Sequence, residues 1–357
     1  MKKWHVLLVV LALVWGLAAC GKSDKKAEAE GGSSNKNKLI EASITDASYA
    51  LLKDDDADVS EDGEKDLLAV DLKIKNVSSD TVHISPYSNI KLYDGNEEVN
   101  IEDDIYSTRL DMGTSRGGAV SGRAIQKKMT VLVKVKKGKT YTLGIQPFTE
   151  KSGDDSDELK LALDTKKYSK SYDSLQDQAK ALKAYIDTIY LNKDNADYEK
   201  YVSENKEAVQ TDAYKTFKKA FNDNITDDIS DADMKKYYEA YKSAAAEKAK
   251  LDAEAVASYK NKAVVKLTYS TISMDDISEK VEKYADEYLD NSENYDSEKA
   301  KKYALSKFDS IVSSMEPKEA EDPAEVSMVK KDGKWTVWQE NDYTNELEEA
   351  FAGGEVY

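Results

Sequence analysis

Alternation of apolar and polar residues dominates the chain from residue 39 to about 165. Leu68, Val70, Leu72 and Ile74 interleave with Ala69, Asp71 and Lys73, which predicts a strand with one buried face. Asn76 ends it and Ser78-Ser79-Asp80 turns the chain. Met129, Val131, Val133 and Val135 form a second set, joined through Lys137-Gly138-Lys139 to a third, Tyr141, Leu143 and Ile145. Residues 44–51, 90–93 and 159–163 supply further strands. Short strands separated by turn residues predict an antiparallel β-sandwich, each sheet apolar on one face and polar on the other.

The period changes from 2 to 3.6 across a polar, tyrosine-rich stretch, so the sandwich is assigned residues 39–165 and a linker residues 166–173. Residues 174–192 then read as an amphipathic helix, with Leu175, Ala179, Leu182, Ile186 and Ile189 on one face. Tyr214, Phe217 and Phe221 mark another. Ser230 with Asp233 is an N-cap signal for a long helix reaching the Ala- and Lys-rich stretch near residue 250. A strand over 263–269, a helix around 277–288 and one over 297–315 follow. Lys331-Asp332-Gly333-Lys334 between two apolar runs predicts a hairpin, and a short helix over 345–351 closes the chain. Residues 174–357 are therefore expected to form an α+β domain, helices first and a small antiparallel sheet last.

The start of the chain has a different purpose. Met1-Lys2-Lys3, the apolar run from Trp4 to Leu17, and small residues at 18–19 make residues 1–19 a secretory signal, too short for the ~20 residues of a transmembrane helix. Leu17-Ala18-Ala19-Cys20 matches the lipobox of bacterial lipoproteins. That resemblance implies a diacylglyceryl thioether on Cys20, which becomes the mature N-terminus. Two acyl chains anchor stably where one is marginal. Residues 20–38 lack large apolar side chains and are expected to be a disordered tether.

Loss of Lys2 and Lys3 with the signal takes the formal net charge from −17 to −19. So acidic a chain offers no footprint for nucleic acid, and lipid must hold it to the membrane. Cys20 is the one cysteine, so the mature chain has neither a thiol nor a disulfide. One histidine, His83, remains after His5 departs. A cysteine nucleophile and a multi-histidine zinc site are thereby excluded. A Ser-His-Asp arrangement would need His83, whose same-face neighbour Ser85 is about 6.5 Å away along a strand. No cofactor is expected.

Residues 68–80, 131–135 and 137–141 resemble the immunoglobulin-like domain of a family of Gram-positive, Firmicutes-type cell-surface lipoproteins. The second half resembles the α+β domain of unknown function that follows it there. The hairpin around Asp332-Gly333 is also similar to the closing strands of cystatin-like or nuclear-transport-factor-like domains. The resemblance implies architecture and an extracellular, membrane-anchored location. It brings no catalytic motif.

Three groups are candidate sites. Arg109, Arg116 and Arg123 lie in a glycine-rich loop and could take a carboxylate or phosphate bidentately. Asp58, Ser60 and Asp62 could bind calcium loosely. As an EF-hand loop from Asp58 the pattern fails, because its bidentate acid would fall on Ala69. Among the 23 tyrosines, Tyr168, Tyr172, Tyr198 and Tyr201 are least explained by core periodicity. The expected function is non-catalytic binding of an extracellular protein or envelope partner. The alternative is a carboxylate-based or metal-assisted cell-surface hydrolase. A solute receptor of two α/β lobes fits less well, since no βαβ alternation is seen.

Overall fold

The computed structural model describes residues 34–53, 66–99, 101, 107, 109–114, 117–151, 157–226, 228–292, 295–338 and 343–356. The sheet-rich part runs β1 (Ser34–Lys36), β2 (Ile40–Leu52), β3 (Asp66–Asn76), β4 (Val82–Ile84), α1 (Pro86–Asn89), β5 (Ile90–Asp94), β6 (Glu97–Val99), β7 (Gly118–Val120), β8 (Gln126–Val135), β9 (Thr140–Ile145), β10 (Phe148–Thr149) and β11 (Leu159–Asp164). The second part runs α2 (Ser169–Asp173), α3 (Asp177–Ile189), α4 (Asp197–Tyr201), α5 (Lys206–Asn224), α6 (Asp231–Lys248), β12 (Leu251–Tyr259), β13 (Lys262–Thr271), α7 (Met274–Asp290), α8 (Ser297–Leu305), α9 (Phe308–Ser314), β14 (Lys318–Glu319), β15 (Ala324–Lys331), β16 (Lys334–Val337) and α10 (Tyr343–Glu348).

The alternating positions do what their period requires. Leu68, Val70, Leu72 and Ile74 of β3 and Met129, Val131 and Val133 of β8 face Leu92, Leu143, Ile145 and Leu161 of the β11-β9-β5-β6 sheet. Successive side chains on a strand point to opposite faces, so one alternating set buries together. Behind the linker region, a second core collects Phe217 and Phe221 of α5, Tyr237 and Tyr241 of α6, Phe308 of α9 and Phe351. Their rings touch edge and face, Tyr237 to Phe308 at 4.7 Å and Phe221 to Tyr237 at 5.5 Å. Tyr185, Tyr190, Tyr237, Tyr238 and Tyr241 are thus core residues, as helical spacing predicts, while Tyr87, Tyr295 and Tyr303 are exposed. Ser230 caps α6, its Oγ accepting from the Asp233 backbone N–H at 3.2 Å. The β15–β16 turn places Asp332 and Gly333 at φ 50° and 85°, the pair of positive angles that a two-residue type I′ hairpin demands.

Sequence and structure part company in four places. β12 is a nine-residue strand where the pattern shows only the end of an alanine-rich helix. Ala253 and Ala255 face the helical core, but a bulge between Ala255 and Ala257 turns Ala257 to the opposite face, so no unbroken alternation betrays the strand. Residues 34–36, assigned by composition to the tether, form β1 on β2. There Asn35 and Asn37 donate side-chain hydrogen bonds to the Lys160 and Asp157 carbonyls at 2.6 and 2.7 Å, so the order comes from polar contacts. The helix expected over 297–315 is two helices, α8 and α9, broken at residues 306–307. Finally, residues 166–173 are a 3-10 turn and α2, tied to the sheet-rich part by Tyr168, Tyr172 and a hydrogen bond from the Tyr49 backbone N–H to Ser171 Oγ at 3.0 Å.

One sheet crosses from the first part to the second, in the order β16-β15-β13-β12-β2-β3-β8. The crossing is short: Leu52 pairs with Ala257 and Leu51 with Ser258, and the Lys53 N–H reaches the Val256 carbonyl at 2.8 Å. A third apolar cluster covers this junction, joining Ala50, Ala69 and Leu132 to Val256, Tyr259 and Val264, with Leu110 and Met112 laid over them. On the outer face of β3 and β8, Ala69 and Leu132 are buried by this cluster. Among the described residues, no helix is long and apolar enough to cross a membrane.

Candidate functional site

Where the two parts meet, the chain leaves a cleft of about 280 Å³. Its floor follows from strand register. Ala50, Leu67 and Lys134 are cross-strand neighbours on β2, β3 and β8, and residues 50–52 continue the wall. The junction of α2 and α3 closes over them with Tyr172, Leu175 and Gln176. The volume falls just below the roughly 300–1,000 Å³ of typical ligand pockets, so it suits a small molecule or a single protruding side chain.

Three polar groups converge on this apolar floor. The Asp66 carboxyl is raised above its ordinary value by burial, an effect opposed by hydrogen bonds from the Tyr172 side chain and the Lys137 backbone. Lys134 is 7% exposed, an amine carried on a strand between Val133 and Val135. Tyr172 is fixed from both sides. It meets Tyr49 edge-on at 5.2 Å and lies under Lys137 Nζ at 4.0 Å, and Lys137 pairs with Asp173 at 2.5 Å. A carboxyl, an amine, a phenol and the Gln176 carboxamide around leucine walls can orient a ligand with polar ends and an apolar body.

Of the residues singled out from sequence, Tyr172 alone lines this cleft. Arg109 sits at the seam in another role. Its Nε donates to both Glu325 oxygens at 2.8 and 3.0 Å, Nη2 lies 2.7 Å from Glu325 Oε1, and Nη1 donates to the Lys53 carbonyl at 3.2 Å. At 16% exposure its side chain clamps the loop, the end of β2 and β15 together. Arg123 is exposed in the turn before β8, at the far end of that strand from Lys134. Gly117, in the same glycine-rich loop, has φ 88°, and a Cβ there would meet the Ile84 carbonyl oxygen at 2.5 Å. Arg116, the calcium candidates Asp58, Ser60 and Asp62, and Cys20 lie outside the described residues. Among the described residues, no three His, Cys, Asp or Glu side chains are grouped to hold a metal.

His83 stacks on Phe148, ring centroids 5.2 Å apart, with Nε2 3.6 Å from Glu150. Ser85 caps α1, accepting from the Tyr87 N–H at 3.3 Å. Tyr168 packs against the core of the sheet-rich part. Tyr198 is buried in the second core, its hydroxyl reaching the Glu204 carbonyl at 3.3 Å, and Tyr201 lies under Lys200 at 4.4 Å. Sequence reasoning missed Asp66 and Lys134. An isolated aspartate opening a strand carries no signal in so acidic a chain. Lys134 does leave one, as a charge inside the run Val131-Leu132-Val133-Lys134-Val135.

The fold is thus a sheet-rich part joined edge to edge, through one shared sheet, to a part of helices and sheet. Residues 168–352 match the family described as Domain of unknown function (DUF5105), and the chain belongs to that family. Over 359 residues it is 27% identical to the uncharacterised lipoprotein YcdA of Bacillus subtilis (strain 168), covering 98% of each. The crystal structure of ycdA from Bacillus subtilis aligns with a TM-score of 0.65 at 25% identity, over 90% of this chain and 99% of that one. The likeness therefore spans both parts and the seam between them.

Proposed function

We propose that this chain is a lipoprotein held by a diacylglyceryl group on Cys20 to the extracellular face of a bacterial membrane, where it acts by binding and not by catalysis. The lipobox and the whole-length likeness to a lipoprotein support the anchor. The observation that carries the non-catalytic reading is the setting of His83, whose Nε2 has no hydrogen-bond partner among the described residues and so faces no nucleophile there. The one imidazole of the mature chain stacks on Phe148 beside Glu150, and its strand neighbour Ser85 is occupied as a helix cap. A triad needs a histidine facing a free nucleophile and held by a third group. The seam cleft is the binding site this reading favours.

The sheet-rich part is read as an immunoglobulin-like sandwich. Strand order β2-β3-β8 against β11-β9-β5 corresponds to strands A-B-E against G-F-C of that fold. Tyr141, at the start of β9, accepts from the Lys136 N–H at 2.9 Å, the corner such sandwiches build where the fifth strand turns into the sixth. The cystatin- or nuclear-transport-factor-like reading of the second part rests on helices preceding a sheet closed by the β15–β16 hairpin. The functional test compares a His83→Ala strain with the full deletion. The substitution is expected to behave as wild type. If folded, abundant His83→Ala protein reproduces the deletion, a surface hydrolase replaces the binding reading.

A further inference from the structure

The second part carries a larger groove, of about 500 Å³, between the start of α6 and the face of α8. Thr226, Ile229 and Ser230 lead into α6, whose Tyr237 forms part of the floor with Leu305 of α8. Tyr237 is 8% exposed and its ring belongs to the aromatic core, 5.5 Å from Phe221. Its hydroxyl has no hydrogen-bond partner among the described residues and reaches the water of the groove, where it is open to a ligand.

The two walls differ in charge. Asp228 and Asp233 stand on the α6 side. Lys301 and Lys302 stand on the α8 side, with Glu298 one turn before them. Close by, charges are paired: Lys218 with Asp231 at 2.8 Å and Lys299 with Asp296 at 2.9 Å. Asp233 accepts from Ser230 Oγ at 2.7 Å. Lys301 and Lys302, by contrast, have no ion-pair partner among the described residues. The groove thus offers unpaired ammonium groups on one side, carboxylates on the other and an unused hydroxyl below.

We propose that this groove binds a short peptide with free ends. Its carboxylate would lie on Lys301 and Lys302, its ammonium group on Asp228 and Asp233, and a backbone carbonyl between them would accept from the Tyr237 hydroxyl. A polyanion fits less well, because the acidic wall and the chain's net negative charge oppose it. The groove shares no lining residue with the seam cleft, so the proposal goes beyond the binding reading above and can fail without it.

The test is calorimetric titration of the full-length Cys20→Ser protein with trialanine carrying free ends. Saturable one-to-one binding is expected. Amidating the carboxylate or acetylating the amine should each weaken it about fivefold or more, the upper end for a partly exposed charge pair. A Lys301→Ala, Lys302→Ala double variant should lose the preference for the free carboxylate while still distinguishing free from acetylated amine. Tyr237→Phe, which keeps the core ring, should weaken all three peptides alike. Absence of binding overturns the proposal. So do equal affinity for the doubly blocked peptide, and binding of inorganic phosphate in preference to trialanine.

Discussion

Asp66 bears an electrostatic cost that sets a pH dependence. Burial lifts its folded pKa above 3.8, the value of an ordinary aspartate. Between that value and the raised one, the folded chain keeps a proton that the unfolded chain has already released. Stability therefore falls as pH rises through this window and stays lower above it. Asp66→Asn should be more stable than wild type at neutral pH and lose part of the acid-side slope, measured as the urea midpoint across pH. Glu204 is shifted upward by burial too, so the difference between variant and wild type is the quantity to follow. A variant less stable at neutral pH would mean that Tyr172, Lys134 and Lys137 together outweigh the burial of the charge. Tyr172 was visible in the sequence because it broke the helical period. Asp66 was not, since its significance comes from the segment that folds over it a hundred residues later.

Among elements, β8 shows how far an alternating pattern can be read. Its inner face, Met129 to Val135, was legible from period two. Its outer residues Leu132 and Lys134 are buried as well, by the loop carrying Leu110 and Met112 and by the cleft. Nothing in the local pattern announces that second burial, because the partner lies far along the chain. β12 was missed for another reason. A bulge between Ala255 and Ala257 breaks its period, so Ala255 packs into the helical core while Val256 and Ala257 join the seam cluster. The corner at Tyr141 gives a prediction at this scale. Tyr141→Phe removes one hydrogen bond to a part-buried backbone N–H while keeping the ring, which should cost about 1 kcal/mol of stability. Chemical denaturation would show it as a lower midpoint with an unchanged slope. A neutral substitution would mean that the corner does not hold the β8–β9 connection.

For the molecule as a whole, the seam decides whether the two parts behave as one. It rests on two cross-strand residue pairs, one apolar cluster and ion pairs that reach across: Arg109 with Glu325, Lys260 with Asp71 at 2.6 Å, and Lys53 with Glu254 at 2.5 Å. Lys53 with Glu254 is the most solvated, at 38% and 53% side-chain exposure, and worth little. Arg109 differs from both lysines in its bidentate geometry. Arg109→Ala should cost about 1–3 kcal/mol, between the values for exposed and buried pairs. It should also split a single calorimetric unfolding transition into two. Unchanged, coincident unfolding would place the coupling in the apolar cluster instead. This clamp leaves no local signal along the chain. Arg109 looked like a ligand-binding arginine because its partner lies 216 positions away.

Lipid on Cys20 is proposed to hold this two-part binding protein at the membrane. Fractionating cells that make the Cys20→Ser protein tests this most directly. The wild-type protein is predicted in the membrane fraction, and Cys20→Ser in the medium or as the uncleaved precursor. A cleaved Cys20→Ser protein that stays with the membrane would contradict the account, because something other than the lipid would then be holding it.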